Sequence, residues 1–185
     1  LKEAQQSIDA KKIGPRGIRY YFAKKTKEHL KLPISTRTHI VALGSNAGTP
    51  KGDAGNITHG PLSIGYGSST DTIGLEYSAG LALERKINGP ILIVKWAGNN
   101  GRASIADSWR PAQADAAPTA WDHLLPHVQE VLANLKKYHP DYDAKAGHNI
   151  AGMIWFQGLS DGQTADYGTH LEKLIRDFRG LVKSP

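Results

Sequence analysis

Three short segments of this 185-residue chain set glycine beside small polar residues. They are Gly44-Ser45-Asn46, Gly98-Asn99-Asn100-Gly101 and Gly158-Leu159-Ser160-Asp161, the last preceded by Gln157. Glycine lets a backbone N–H approach a ligand closely. Serine and asparagine side chains and backbone N–H groups are the parts from which an oxyanion hole is built. A serine at a strand end is placed as a nucleophile must be. Together these residues suit attack on a carbonyl carbon and stabilisation of the resulting oxyanion. Any one segment is ordinary loop chemistry, and Ser45 reads equally as a turn or capping serine. The repetition of the pattern behind three apolar runs is the stronger signal.

Such segments need elements to hold them. Thr38-His39-Ile40-Val41-Ala42-Leu43 predicts a short strand ending at Gly44. Residues 44–72 are rich in Gly, Ser, Thr, Asn and Asp and read mostly as loop. Asp71 or Thr72 is the expected cap of a helix reaching about Ile87, with Ile73, Tyr77, Leu81 and Ala82 on one face and Asn88-Gly89-Pro90 as its stop. Ile91-Leu92-Ile93-Val94 follows at once, a branched apolar run typical of a buried parallel strand. A polar loop from Ala97 to Thr119 comes next, long enough to suggest a functional role. A second helix is predicted over Trp121–Tyr138, with Leu124, Leu125, Val128, Val131, Leu132 and Leu135 as its stripe and Pro126 tolerated in its first turns. Asn149–Phe156 reads as another buried strand. A last helix is expected over Ala165–Val182, with Tyr167, Leu171, Leu174, Ile175 and Phe178 facing inward. Alternating helices and strands imply an α/β fold with a parallel sheet. The expected architecture is a three-layer α/β/α sandwich with a mainly parallel sheet, flavodoxin-like in outline. In such sheets ligands meet the loops beyond the strand C-termini, where the three segments fall.

Composition narrows the chemistry. The chain has no cysteine, which excludes disulfides, thiolate metal sites and cysteine nucleophiles. No apolar run approaches the roughly 18 residues that span a membrane. The net charge of +6 lies entirely in residues 1–31, which hold nine Lys/Arg against three acids. Residues 1–37 are therefore read as a peripheral basic segment, and residues 38–185 as the α/β domain. A basic arm can hold nucleic acid through its phosphates. The alternation of aromatics in Gly17-Ile18-Arg19-Tyr20-Tyr21-Phe22 favours a packed strand instead, so nucleic acid is not the expected partner. There is no phosphate-binding Gly-x-x-x-x-Gly-Lys-Ser/Thr loop, and Gly65-Tyr66-Gly67 lacks the third glycine of a dinucleotide fingerprint. His123 and His127 stand one helical turn apart, but no acidic third ligand is evident, so both are read as surface histidines around Pro126. Asp141-Tyr142-Asp143 with His148 reads as a solvated loop. No metal and no organic cofactor is expected.

One block is specific enough to point to a family. Gly152-Met153-Ile154-Trp155-Phe156-Gln157-Gly158-Leu159-Ser160-Asp161 resembles the strand and loop ending Trp-Phe-Gln-Gly-x-Asn/Ser-Asp in the sialate O-acetylesterase and acetylxylan esterase branch of the SGNH hydrolases. Other segments are similar to the same branch. They include His59 to Gly67, the helix start Ile73-Gly74-Leu75-Glu76-Tyr77, the strand Pro90 to Lys95, and the loop Trp96-Ala97-Gly98-Asn99-Asn100-Gly101-Arg102-Ala103-Ser104 with Trp109-Arg110-Pro111 after it. Tyr167 to Arg179 is similar to the family's following helix. The likeness covers about two thirds of the chain.

The resemblance implies a serine esterase that removes acetyl groups from sugars, with an acetylated carbohydrate as its partner and an extracellular or periplasmic setting. It implies Ser45 as the nucleophile. It assigns Gly98, Asn99, Asn100, Gly101, Gln157, Gly158, Ser160 and Asp161 to oxyanion or substrate binding. The departures are equally plain. The family's Gly-Gln-Ser-Asn has only Gly44-Ser45-Asn46 as a counterpart, its Glu after Gln-Gly is Leu159, and its block Asn is Ser160. None of His39, His59, His123, His127, His139, His148 or His170 stands in the family's Asp-x-x-His pattern. The sequence is accordingly expected to be a fragment or a degenerate member, a poor esterase as an isolated chain. An incomplete sheet would also expose an edge through which copies could associate. The alternative is a noncatalytic carbohydrate-binding relative, with Trp109 in the long loop as the sugar platform and Trp155 in the core.

Overall fold

The run Thr38-His39-Ile40-Val41-Ala42-Leu43-Gly44 forms the central strand β1 (Thr38–Gly44) of a three-stranded sheet. Ile40, Val41 and Ala42 are fully buried. Side chains alternate across a strand, so both faces of β1 are covered, as a continuous apolar run requires. The computed structural model describes residues 34–44, 57–67, 72–97, 104–109, 119–158, 161–163 and 165–182. The chain divides into two units, Leu1–Ala97 and Gly98–Pro185.

In the first unit β1 pairs in parallel with β3 (Ile91–Ala97), Thr38 opposite Ile91 through Gly44 opposite Ala97. On its other side β1 pairs antiparallel with β2 (Ile57–Pro61), His39 opposite Pro61 and Leu43 opposite Ile57. The fold is α/β, but this sheet is small and mixed, not mainly parallel. β2 is the reason. Its residues fall within the stretch read as loop, because His59-Gly60-Pro61 carries two strand breakers. An edge strand tolerates proline at its end.

Helix α1 (Leu75–Glu84) lies between β2 and β3 in the chain. It begins with Gly74 as its N-cap, not at Asp71 or Thr72, and Gly74 N–H donates to the Glu76 carboxylate at 3.1 Å. At Gly80 the helix backbone comes down onto the sheet, where a Cβ would lie 2.3 Å from Leu62 Cδ2 and 3.1 Å from Ile93 Cδ1. Ile40, Ala42, Leu62 and Tyr77 form the core below it, with Tyr66, Ile73, Leu81 and Ile93 packed around them. The helix ends three residues before Ile87, because Arg37 takes its terminal carbonyls. The guanidinium donates to Ile87 O at 2.6 Å and to Glu84 O. Ser35, within the segment read as peripheral, is buried, and its N–H donates to Leu62 O at 2.9 Å. Residues 1–33 of that basic segment lie outside the described residues.

The second unit holds α2 (Ile105–Ser108), α3 (Ala120–Ala133), α4 (Leu135–Tyr138) and α5 (Tyr167–Val182). Thr119 and Asp122 start α3 with a reciprocal capping box, each side chain taking the other's backbone N–H. The single helix predicted over 121–138 is two helices, because Asn134 leaves helical geometry at φ −128°, ψ 34°. A polar bridge spans the break. Tyr138 Oη donates to the Glu130 carboxylate, and Lys137 Nζ reaches Glu130 at 3.3 Å and Tyr138 Oη at 3.0 Å. The Tyr138 hydrogen bond holds the Glu130 carboxyl below its ordinary pKa. His127 is buried, at 3% exposure, while His123 is exposed, which corrects the reading of both as surface residues. Position 127 shares the inner face of α3 with Val128 and Val131.

The predicted strand over Asn149–Phe156 is not a strand. The segment is irregular chain, and Ile154 and Phe156 are 63% and 87% exposed. An apolar run becomes a strand only where another strand accepts its backbone hydrogen bonds. The ladders of the described sheet run only among β1, β2 and β3.

Candidate active site

The most specific sequence block becomes a hydrogen-bonded cluster in the second unit. Gly158 sits at φ +147°, a backbone state that side chains rarely adopt, and Asp161 N–H turns back to Gly158 O at 3.0 Å. That turn directs the buried Asp161 carboxylate, 5% exposed, toward two donors. Ile105 N–H donates to it at 3.0 Å, and the Gln157 side-chain amide donates to it as well. Ile105 is the first residue of α2, so Asp161 places a negative group at a helix N-terminus. Ser104 caps the same helix, its Oγ accepting from Asp107 N–H at 3.1 Å. Residues 157–161 thereby hold the chain just where the 98–104 loop enters α2.

Aromatic residues brace this turn. Trp155 Nε1 donates to Tyr167 Oη at 3.1 Å, and Tyr167 Oη donates to Gln157 O at 3.0 Å. Trp109, at the end of α2, meets Trp155 edge to face with ring centroids 4.7 Å apart. Trp155 is half-buried in this corner, not a core residue of a strand. Tyr167, expected only as an apolar contact of the last helix, uses its hydroxyl to join α5 to the turn. Sequence reasoning missed it because helical periodicity reports which face is buried and not what a phenol tip touches.

In the first unit the parallel register sets Gly44 opposite Ala97. The chain therefore leaves β1 and β3 at the same level of one sheet end, with Ser45 and Gly98 as the next residues. Below that end, Glu76 of α1 and Lys95 of β3 form an ion pair at 3.1 Å, with side chains 6% and 17% exposed. Lys95 Nζ also donates to Tyr66 O. Neither residue was singled out as a site residue from sequence. Glu76 stood only within a motif and Lys95 only at the end of an apolar run.

Of the residues expected to do chemistry, the structure brings Gln157, Gly158 and Asp161 together with Ile105 and Tyr167. Ser45, Gly98, Asn99, Asn100, Gly101 and Ser160 lie outside the described residues. Among the described residues no group of three or more His, Asp or Glu gathers to hold a metal ion, and no helix is long and apolar enough to cross a membrane.

Residues 52–185 match the family described as carbohydrate esterase, sialic acid-specific acetylesterase. The chain belongs to this family. No curated protein and no solved structure matches it. The acetylesterase match spans β2, α1, β3 and the whole second unit, and so includes both the Glu76–Lys95 pair and the Gln157–Asp161 turn. It places the chain with enzymes of acetylated carbohydrates at the level of the family.

Proposed function

We propose that this chain is a carbohydrate O-acetylesterase that works through Ser45. The observation that carries the reading is the acetylesterase family match over residues 52–185. The register of β1 and β3 supports it, since the residues following Gly44 and Ala97 leave the sheet at one level. That is the end at which ligands meet α/β sheets.

In this reading Ser45 Oγ, its proton taken by a general base, attacks the acetyl carbonyl of the sugar ester. A C–O bond forms, and the carbonyl electrons move onto oxygen. Backbone N–H groups of the 98–101 loop and the Asn100 side chain stabilise that oxyanion, each donor contributing about 3 kcal/mol. Collapse breaks the ester bond, and the sugar leaves as its alcohol after taking up a proton. Water then hydrolyses the acetyl-serine and releases acetate. Gln157 and Asp161 act indirectly. Their hydrogen bonds set where the 98–104 loop joins α2, and a carboxylate that accepts Ile105 N–H is a positioning group, not an oxyanion donor.

The test is labelling with a fluorophosphonate serine probe, followed by intact-mass spectrometry and peptide mapping, with acetate release from acetylated xylan and O-acetylated sialic acid measured in parallel. The expected result is one label on Ser45, acetate release, and loss of both in Ser45→Ala. Binding of the acetylated sugars with neither label nor acetate release would replace the esterase with a carbohydrate-binding protein.

A further inference from the structure

Helix α1 runs antiparallel to β1 and β3 and is fastened at each end by a different chemistry. At the strand starts Glu84 takes neutral donors, the N–H of Thr38 at 2.8 Å and the Ser35 hydroxyl. In the middle the contact is apolar, with Gly80 against Leu62 and Ile93. At the strand ends the fastening is the buried Glu76–Lys95 ion pair. A buried ion pair is a poor source of net stability, because the cost of stripping water from both charges offsets most of their attraction. It is directional, however, and this one joins three pieces of chain. Lys95 stands on β3 two residues before Ala97 and opposite Ala42 of β1. Its ammonium binds the first turn of α1 through Glu76 and the 62–67 loop through Tyr66 O. Glu76 in turn receives the N–H of Gly74, the residue from which α1 starts.

We propose that Glu76 and Lys95 are positioning residues for the esterase reaction. The pair locks α1 and the 62–67 loop onto β3 at the sheet end from which Ser45 and the 98–101 loop emerge. It thereby holds nucleophile and oxyanion donors at matching levels. The inference rests on the reading of Ser45 as the nucleophile. Misplacement by about 1 Å of a group involved in chemistry can cost on the order of a hundredfold in rate. Loosening the pair is thus expected to lower kcat while leaving sugar binding in place.

Four variants of the full chain separate positioning from plain stability: Lys95→Arg, Glu76→Gln, Lys95→Met, and the double variant Glu76→Met with Lys95→Met. Each is compared by thermal melting, by the rate of fluorophosphonate labelling at Ser45, and by kcat and KM for acetate release well below its melting temperature. The expected result is that Glu76→Gln and the double variant fold, keep KM within about twofold, and lose about tenfold or more in kcat and labelling rate. Lys95→Arg should restore most of the rate, since it keeps the charge and a donor to Tyr66 O. A double variant that folds and turns over within about twofold of the parent overturns the inference, and the pair is then structural only. If Lys95→Met or the double variant fails to fold, Glu76→Gln decides, with the same threshold. A parent chain that neither labels at Ser45 nor releases acetate refutes the esterase reading itself, a result distinct from a variant matching an active parent.

Discussion

Replacing Asp161 by asparagine tests whether the Gln157–Asp161 turn holds the start of α2. Two donors converge on the Asp161 carboxylate, the N–H of Ile105 at 3.0 Å and the Gln157 amide. An asparagine side chain has the same shape but only one oxygen. One of the two donors then faces an N–H₂ group. A hydrogen bond to a charged group contributes about 1.5–3 kcal/mol net, and stranding a buried donor costs about 1–3 kcal/mol. These are two views of one loss, so the expected destabilisation is about 2–3 kcal/mol. At about 2–4 °C per kcal/mol for a chain of this size, Tm should fall by about 4–12 °C. The assay is thermal denaturation followed by circular dichroism, paired with amide hydrogen exchange read at Ile105. Protection at Ile105 should drop further than at Val131, which is buried in α3. Asp177→Asn is the control. Its partner Lys173, one turn away on α5, is exposed, so the change should stay within about 1 kcal/mol. An unchanged Tm with unchanged exchange at Ile105 would show that Asp161 does not hold α2, and the role given to residues 157–161 would fail with it.

Other outcomes follow from the first unit. Burial alone would raise the Glu84 pKa, but hydrogen bonds from Ser35, Thr38 and Arg37 together outweigh it and hold the carboxyl below its model value of 4.5. A carboxyl depressed in the folded state contributes stability that is present above its unfolded pKa and lost as pH falls through its folded one. Urea denaturation should therefore show stability declining as pH drops below about 4.5, with a smaller decline in Glu84→Gln. Gly80→Val should destabilise by about 1–3 kcal/mol, because its Cβ would lie 2.3 Å from Leu62 Cδ2 and 3.2 Å from Thr38 Cγ2. Chemical denaturation measures this, and an unchanged midpoint would mean that α1 lifts from the sheet without cost.

Where backbone preference and burial act together, the elements were legible. β1 and β3 are continuous branched apolar runs, and both formed as parallel partners. The stripe Val128, Val131 and Leu135 marked the inner face of α3 and α4. The failures share a different cause. Ile150–Phe156 has the composition of a strand, but composition does not name the edge that would accept its hydrogen bonds. β2 is a strand only because β1 offers it an edge, against the preference of Gly60 and Pro61. The break at Asn134 depends on a bridge among Glu130, Lys137 and Tyr138 that periodicity does not report. At the site, the block around Gln157 and Asp161 was readable as a motif. Its work on Ile105 was not, because that contact joins residues 56 positions apart.

The order of the strands also bears on how the chain comes off the ribosome. β1 is buried on both faces in the finished sheet, so on emergence it is a sticky ribbon with two open edges. The antiparallel partner β2 follows soon after and can cover one edge. The parallel partner β3 comes roughly fifty residues later, about 3–10 s at a synthesis rate of ~5–20 residues per second. Through that interval the flank of β1 that will carry β3 is open to any other nascent chain or to a holding chaperone. A synonymous change that slowed translation between β2 and β3 would lengthen this exposure and lower soluble yield, with the mature protein unaltered in sequence.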